Sequence, residues 1–242
     1  MRRPTAITAF LAVALITVSG VLFYQYGRSF WHPTYMKYGG ARTVADVIEQ
    51  YGEEAFARLV PAFSRAGLVY PPVKVALLSL KAERSLEVWA FENDEWHFIK
   101  EYPIKGASGT AGPKLREGDR QVPEGVYRII GLNPNSIYHL SMKLNYPNAF
   151  DLRHAKAEGR SQLGNNIHIH GNTGSDGCLA MGDEAIEDLF FLVAEVGKDN
   201  AMVVIAPNDP RTEPLPRSLP NTPPWLPELY GLIEAKFRVF TK

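Results

Sequence analysis

The sequence is nearly free of cysteine: Cys178 is the only one among 242 residues. One cysteine cannot form an internal disulfide, so no covalent staple holds the chain together. Net charge is also missing, because 26 basic side chains balance 26 acidic ones, and this excludes the electrostatic footprint of a nucleic-acid-binding protein. No internal repeat or low-complexity tract is present, which excludes repeat architectures. A hydrophobic fraction of 45% predicts a globular protein with one substantial core.

The N-terminus carries the pattern of an export signal. Arg2 and Arg3 precede an uncharged, apolar stretch over residues 5–27, in the order of a basic region followed by a hydrophobic region. This stretch is close to the length of about 20 residues that spans a bilayer. We expect it to anchor the protein in the inner membrane, with the remainder in the periplasm. The small residues at 18–20 leave a cleaved signal peptide open as the alternative.

Changes in periodicity divide the rest of the chain into three parts. Residues 28–70 are predicted to form a loop-like tether followed by two amphipathic helices. Residues 71–207 follow a strand-like pattern and form the candidate functional domain. Residues 208–242 combine a proline-rich wrap over the surface with a final helix.

Short strands dominate the central part of the chain. Apolar runs rich in β-branched residues are separated there by glycine, proline and asparagine. Strands are predicted over residues 73–80, 86–91, 96–104, 126–132, 137–143, 165–170 and 201–205. Helices are predicted over residues 43–51, 53–66, 183–196 and 229–240, with a long charged loop over 105–124. This pattern predicts a mostly β fold with helical additions, built as a β-sandwich or barrel-like core.

The glycine-rich segment around Cys178 predicts a catalytic nucleophile. His170 ends an apolar run eight positions earlier and is the candidate base, which we expect to lower the pKa of the thiol below about 8.5. The backbone N–H groups of Gly177 and Cys178 are candidates for an oxyanion hole. A buried core cysteine is the alternative, although such a cysteine has apolar neighbours rather than glycines and polar residues. A lone thiol in an oxidising compartment is more easily explained as a nucleophile.

His168 lies two positions before His170, so both imidazoles point to the same side of a strand. Together with Cys178, the pair offers three potential zinc ligands. No spaced carboxylate or second cysteine completes such a site, and we expect neither a metal nor another cofactor. Support of the site by hydrogen bonding and a purely structural role are the other interpretations of His168.

Two segments carry a family resemblance. The first comprises Ile169, His170, Gly171, Ser175, Asp176, Gly177, Cys178, Leu179, Ala180, Met181 and Asp183. The second comprises residues 112–125 together with Tyr138, His139, Leu140, Ser141 and the Asn-Tyr-Pro-Asn-Ala segment at 145–149. In this order the segments resemble the YkuD-type L,D-transpeptidase family, and in particular its YafK-like branch. The resemblance covers roughly residues 73–207.

The resemblance implies a mostly β catalytic domain over residues 71–207 and an enzyme that acts on peptidoglycan stem peptides at meso-diaminopimelate. It implies that Cys178 is acylated, that His170 accepts the thiol proton, and that a backbone carbonyl in the His-Gly turn orients the base. The YafK-like branch is associated with hydrolysis of the link between peptidoglycan and a lipoprotein, which makes a wall-linked lipoprotein an expected partner. Candidate substrate-binding residues are Lys114, Arg116, Arg120, Tyr138, His139, His168, Ser175 and Asp176.

Two positions depart from many members of the family. Asp176 replaces a histidine or serine, and Ala180 replaces an arginine that could steady a substrate carboxylate. The segment between His170 and Cys178 is also short, so it covers an acyl-enzyme less. These features predict that hydrolysis outruns crosslink formation, because water reaches the thioester more easily. A non-catalytic peptidoglycan-binding module and a metal-dependent hydrolase that uses His168, His170 and Cys178 remain as alternatives.

Overall fold

The computed structural model describes residues 6–220 and 222–241. Two compact units divide at Arg42 and Thr43. The first contains helix α1 (Ala6–Tyr26) and helix α2 (Arg28–Gly39). The predicted basic start of the export signal lies outside the described residues. In the described part of the chain, no helix is long and apolar enough to cross a membrane.

The loop-like tether predicted over residues 28–40 is wrong, because helix α2 occupies almost all of this range. Aromatic contacts accompany this helix: the ring of Trp31 stacks on Tyr24 of α1 with centroids 5.2 Å apart and meets the ring of Tyr35 edge-on at 6.2 Å. Trp31 and Tyr35 are four positions apart, the spacing at which side chains of a helix contact each other. The sequence of α2 has no amphipathic period, so its pattern did not predict a helix.

The second unit, from Thr43 onward, combines short strands with helices. The helices are α3 (Val44–Arg65), α4 (Ala149–Ala157), α5 (Asp183–Val196) and α6 (Leu226–Phe237). The strands are β1 (Lys74–Leu80), β2 (Ser85–Glu92), β3 (Glu95–Pro103), β4 (Gly106–Ala107), β5 (Gly125–Ser136), β6 (His139–Leu144), β7 (His168–His170), β8 (Leu179–Ala180) and β9 (Ala201–Ala206). The predicted class, mostly β with helical additions, is confirmed.

The strands form one hydrogen-bonded series in the order β3-β2-β1-β9-β5-β6-β7-β8-β4. Strand β5 joins its two halves, because residues Gly125 to Arg128 pair with β9 and the pairing with β6 starts at Ile129. The register shifts just after that change of partner. Strands that change partners in this way turn the corners of sandwiches and barrels. The second half brings β6, β7 and β8 side by side.

Helices cover both faces of strand β1. Val75 and Leu77 point into a core that also contains residues of α3 and α5. Ala76 and Leu78 point the other way, into a second core formed with α6. This alternation is the period of two expected of a strand, and it explains why β1 reads as a continuous apolar run.

Helix α3 is a single helix of 22 residues where two were predicted. Thr43 begins it with a capping box, since its hydroxyl accepts a hydrogen bond from the amide of Asp46 and its own amide donates to the Asp46 carboxylate. Gly52 lies inside the helix rather than between two helices. A Cβ atom at Gly52 would come within 3.0 Å of the Phe191 ring of α5, so this glycine permits close helix packing.

Two further helices depart from the sequence prediction. Helix α4 was not predicted, although Asn148 caps it by accepting hydrogen bonds from the amides of Phe150 and Asp151. Helix α6 begins at Leu226 and ends at Phe237, three residues before the predicted range of 229–240 at both ends. Pro227 lies in its first turn, where a missing N–H group costs no hydrogen bond.

Candidate active site

His170 and Cys178 lie on neighbouring stretches of chain, where β7 and β8 run side by side. Strand β7 pairs with β6 and β8, so that His170 lies opposite Ser141 on one side and Ala180 on the other. Cys178 immediately precedes β8. The two candidate catalytic side chains line one cavity of about 330 Å³. The cavity is lined by Asn133, Asn135, Ser136, Ile137, Tyr138, Ser141, Asn166, His168, His170 and Cys178.

The imidazole of His170 is buried and held in one orientation. Its Nδ1 lies 2.6 Å from the carbonyl oxygen of Gly171, and an N–H at Nδ1 that donates to this carbonyl leaves Nε2 with a free lone pair. The ring of Tyr138 stacks on the imidazole, with centroids 4.5 Å apart and planes 24° apart. Burial lowers the pKa of His170, although the bond to Gly171 opposes the shift. The side chain is therefore a neutral base at neutral pH.

The thiol of Cys178 is partly exposed and donates to the carbonyl oxygen of Asn166 across 3.7 Å. Burial raises its pKa above the usual range, and the nearby carboxylate of Asp176 adds to the rise. The expectation that the site lowers the thiol pKa is therefore wrong, because desolvation of the sulfur outweighs the groups that favour a thiolate. At rest the cavity is lined by a neutral thiol and a neutral imidazole.

Serine hydroxyls brace the loop that carries the cysteine. Ser108 Oγ accepts a hydrogen bond from the amide of Gly177 at 2.7 Å, and Ser175 Oγ donates to the carbonyl oxygen of Cys178 at 2.6 Å. The amide of Ser108 also donates to Ser175 Oγ at 3.2 Å. Sequence reasoning missed Ser108, which is 69 positions from Gly177; only its place in a long glycine-containing loop hinted at a role.

These hydrogen bonds remove one of the two donors predicted for the oxyanion hole. The amide of Gly177 is occupied by Ser108 and does not face the cavity as a free donor. The amide of Cys178 has no hydrogen-bond partner among residues 6–220 and 222–241, which leaves it as the available donor. Gly177 keeps another role, since its φ of +86° is a conformation that glycine adopts without strain.

Two of the predicted substrate-binding residues line the cavity itself. Tyr138 covers the imidazole of His170. His168 is the first residue of β7 and also lines the cavity. Burial lowers the pKa of His168 to about 4, and the charges of Lys143 and His170 add to the shift. Its Nδ1 is buried and has no hydrogen-bond partner in the described part of the chain. His168 is thus neutral at neutral pH and exposes no charge to a substrate.

Arg120 and Asp176 lie at the outer edge of the site. The guanidinium of Arg120 is 3.8 Å from the carboxylate of Asp176, and both side chains are more than 70% exposed. Such an exposed pair contributes little to stability. It does put a cation on the exposed surface beside the loop of Cys178.

The remaining predicted residues do not point into the cavity. Lys114 is buried, pairs with Asp119 and donates to the carbonyl of Arg116 at 3.0 Å. His139 is buried against Glu187. Local partners thus occupy both side chains, and neither residue lines this cavity. The hydroxyl of Ser175 is likewise occupied within its loop.

Arg116 lies in a different place from the cysteine. It is exposed and borders a separate cavity of about 640 Å³, together with Arg160, Gln121 and Thr222. The cysteine and the candidate base do not line this second cavity. The structure therefore does not bring Arg116 to the candidate active site.

The described residues hold no group of three or more histidine, cysteine, aspartate or glutamate side chains that could bind a metal ion. The sequence had offered His168, His170 and Cys178 as such a group. The side chains that line the cavity are otherwise amides, hydroxyls, an isoleucine and a tyrosine.

Comparison with known proteins assigns the domain. The YkuD family profile, described as an L,D-transpeptidase catalytic domain, matches residues 74–205. YafK of Escherichia coli (strain K12), itself classed only provisionally as an L,D-transpeptidase, is 27% identical over 212 residues, which cover 86% of this chain and 71% of YafK.

Solved structures give a weaker similarity. The helical cell shape determining protein Pgp2 of Campylobacter jejuni is 26% identical with a TM-score of 0.45, over 56% of this chain and 48% of that one. Bd1075 of Bdellovibrio bacteriovorus is 25% identical with a TM-score of 0.42, over the same shares. The matched region thus spans about half the length of each of these two proteins.

Proposed function

Because the chain belongs to the YkuD family of L,D-transpeptidase catalytic domains, an enzyme family of peptidoglycan metabolism, we propose that it is a cysteine acyl-enzyme acting on peptidoglycan stem peptides. One observation carries the proposal: Cys178 shares a small cavity with His170, whose Nδ1 is bound to Gly171 so that Nε2 is a free base. A nucleophile, a base and a group that orients the base are the parts that covalent acyl transfer requires.

The first half of the reaction forms a thioester. As Sγ of Cys178 attacks the carbonyl carbon of the scissile amide, its proton passes to Nε2 of His170. The amide N–H of Cys178 donates to the oxyanion of the tetrahedral intermediate. The C–N bond then breaks, and the leaving amine takes the proton from the imidazolium. A neutral thiol and a neutral imidazole at rest fit this sequence, since the proton moves only when substrate is bound.

The second half decides the product. An amine acceptor gives a crosslinked peptide, and water gives hydrolysis, with Nε2 of His170 accepting the proton of either nucleophile. The C–S bond of the thioester then breaks, and the imidazolium returns the proton to Sγ of Cys178. We propose hydrolysis as the main outcome. Ala180, where many relatives carry an arginine, is completely buried between His170 and Gly106, so no cation projects from this position to hold a second stem peptide.

The substrate follows from the family and from the charges at the rim. We propose meso-diaminopimelate in the stem peptide as the acyl donor, and a wall-linked lipoprotein as one leaving group. Arg120 is the exposed cation beside the Cys178 loop, and its weak contact with Asp176 leaves it able to bind a substrate carboxylate. Lys114 is paired with Asp119 instead.

The site of action follows from the substrate. Peptidoglycan lies outside the inner membrane, so we propose that the protein works in the periplasm. The apolar stretch over residues 5–27 supports export. Attachment to the membrane through this stretch remains a prediction, and a membrane fraction prepared from cells tests it directly.

The deciding experiment incubates the purified full-length protein with muropeptides that do and do not carry a lipoprotein tail. Mass spectrometry reads the products and the thioester adduct on Cys178. Cys178→Ala and His170→Ala should each lower turnover by several orders of magnitude, while circular dichroism shows an unchanged fold. Near-normal turnover of Cys178→Ala would contradict a mechanism in which Cys178 is the nucleophile. Loss of turnover with a chelator would favour the metal-dependent alternative, and wall binding without turnover would favour a binding module.

A further inference from the structure

The imidazole of His170 is restrained from two sides. Nδ1 of the imidazole lies 2.6 Å from the carbonyl oxygen of Gly171. This hydrogen bond limits movement of the ring in the plane of the imidazole. The ring of Tyr138 covers one face of the imidazole at 4.5 Å. The position of Tyr138 therefore decides whether the imidazole can tilt relative to Cys178.

Tyr138 lies in the tight turn between β5 and β6. Ser136 and His139 pair across this turn, and Ser136 Oγ accepts a hydrogen bond from the Tyr138 amide at 3.1 Å. His139 has a backbone φ of +75°, a left-handed conformation that is disfavoured for a residue with a Cβ atom. Such a conformation persists only where the surrounding contacts hold it.

The side chain of His139 makes those contacts. It is buried, and its Nε2 lies 2.8 Å from Oε1 of Glu187 in α5. The ring of Tyr51 in α3 packs edge-on against it at 5.2 Å. Glu187 is paired in turn with the guanidinium of Arg58, also in α3, at 3.3 Å. Helix α3 thus touches both members of the His139–Glu187 pair.

The same turn packs against the residue that orients the base. A Cβ atom at Gly171 would come within 2.7 Å of the carbonyl oxygen of Tyr138 and 3.0 Å of Cβ of His139. The carbonyl of Gly171 is the acceptor for His170. A displacement of the turn at His139 would disturb both restraints on the imidazole together.

We propose that His139 and Glu187 are positioning residues for His170, and that helix α3 completes the site by holding Glu187 through Arg58. The inference rests on the proposed function only for the role of His170 as the base. Helix α3, Val44–Arg65, lies entirely outside residues 74–205 that match the family profile. The helical segment before the catalytic domain is thereby part of the catalytic apparatus rather than a spacer.

Substitutions at Glu187 test the pair in the full-length protein. Glu187→Ala removes the acceptor for His139, and the rate of Cys178 acylation by muropeptide should fall about 10- to 100-fold, because a misplacement of about 1 Å is enough for such a loss. KM should stay within about twofold, since the pair does not line the cavity. Glu187→Gln keeps an oxygen acceptor and should stay within about threefold of the wild-type rate.

Variants of the turn separate the contact from backbone strain. His139→Gly adopts the left-handed φ without strain, yet it should lose as much activity as Glu187→Ala, because the ring makes the contact. Tyr138→Ala removes the ring that covers the imidazole and should lose activity as well. Glu87→Ala is the matched control: Glu87, like Glu187, is a carboxylate paired with an arginine, Arg211 at 2.8 Å, but it belongs to the other face of the sheet. It should lower stability and leave the acylation rate of the folded protein unchanged.

A second measurement does not depend on activity. In protein with labelled histidine, the Nδ1–H resonance of His170 should shift or broaden in Glu187→Ala and keep its position in Glu187→Gln and Glu87→Ala. A wild-type protein without acylation would overturn the proposed function, while a changed resonance would still support the positioning role. An unchanged resonance in both Glu187→Ala and His139→Gly, or wild-type acylation rates in both, would overturn the inference.

Discussion

The amide of Gly177 donates a hydrogen bond to the hydroxyl of Ser108 at 2.7 Å. This bond ties the cysteine loop to the segment that follows β4, and strand β4 itself pairs with β8. The loop is therefore attached on both sides of Cys178. A nucleophile on a tethered loop keeps its position between the attack and the release of the acyl group, which is the condition for efficient covalent catalysis.

Ser108→Ala should loosen this loop. The substitution removes the acceptor of a part-buried amide, which costs about 1 kcal/mol of stability, and we expect the acylation rate to fall about tenfold through lost positioning. Ser108→Thr keeps the hydroxyl and should fall less. Thermal unfolding and single-turnover acylation measure both effects, with the exposed Ser218→Ala as the control. Equal rates for Ser108→Ala and Ser218→Ala would show that the bond does not position the loop.

The alkylation rate of Cys178 should report a raised thiol pKa. Because burial favours the protonated form, the thiol stays neutral near pH 7 and should react with iodoacetamide more slowly there than a free thiol, with an inflection above about pH 8.5. His170→Ala should change this profile little, although it abolishes acylation by substrate. An inflection below pH 7 that disappears in His170→Ala would instead indicate a thiolate–imidazolium pair at rest.

The pH at which acylation fails in acid should lie below the usual pKa of histidine. Acylation needs neutral His170, and burial lowers the pKa of this imidazole from 6.5. Activity should therefore persist as the pH falls through 6.5 and decline only at lower pH, where Nε2 becomes protonated. The initial rate of thioester formation against pH measures this limit. A decline centred above pH 7 would contradict a buried, neutral base.

Gly171→Ala should destabilise the domain. An added Cβ atom would meet Asp183 Oδ1 at 2.6 Å and the carbonyl of Tyr138 at 2.7 Å, and overpacking of this kind costs about 1–3 kcal/mol. Acylation should fall as well, since Gly171 orients His170. Gly174→Ala is the matched control three residues away, with no atom within 4 Å of the added Cβ. Chemical denaturation of both variants checks the difference, and equal stability would contradict the close packing.

The buried carboxylate of Asp151 should make the protein more stable in mild acid. Burial raises its pKa to about 6, above the unfolded value of about 3.9. The folded state therefore binds more protons between these values, so stability rises as the pH falls from 7 toward 4. Asp151→Asn should stabilise the protein at pH 7 by roughly 1–3 kcal/mol and flatten this dependence. Denaturation at several pH values tests it, with exposed Asp199→Asn as the control; an unchanged slope would exclude Asp151 as its source.

Much of the candidate site could be read from local sequence. The single cysteine, the histidine eight positions before it and the glycines between them are neighbours along the chain, so their spacing already limits where they can lie. The strands were equally accessible, because the apolar residues of β1, β2 and β9 follow local patterns that mark buried strands. The predictions failed where packing overrode a local signal, as at Gly52, which accommodates Phe191 inside a continuous helix.

The tertiary structure decided everything that depends on distant residues or on burial. Ser108 reaches Gly177 across 69 positions, and Glu187 reaches His139 across 48, and neither residue carries a sequence pattern that announces its partner. The protonation state of the thiol was also beyond the sequence, because desolvation depends on how completely the fold surrounds the sulfur. The sequence alone determined the chemistry that is available, since residue types set nucleophile and base; the fold determined their charge, orientation and support.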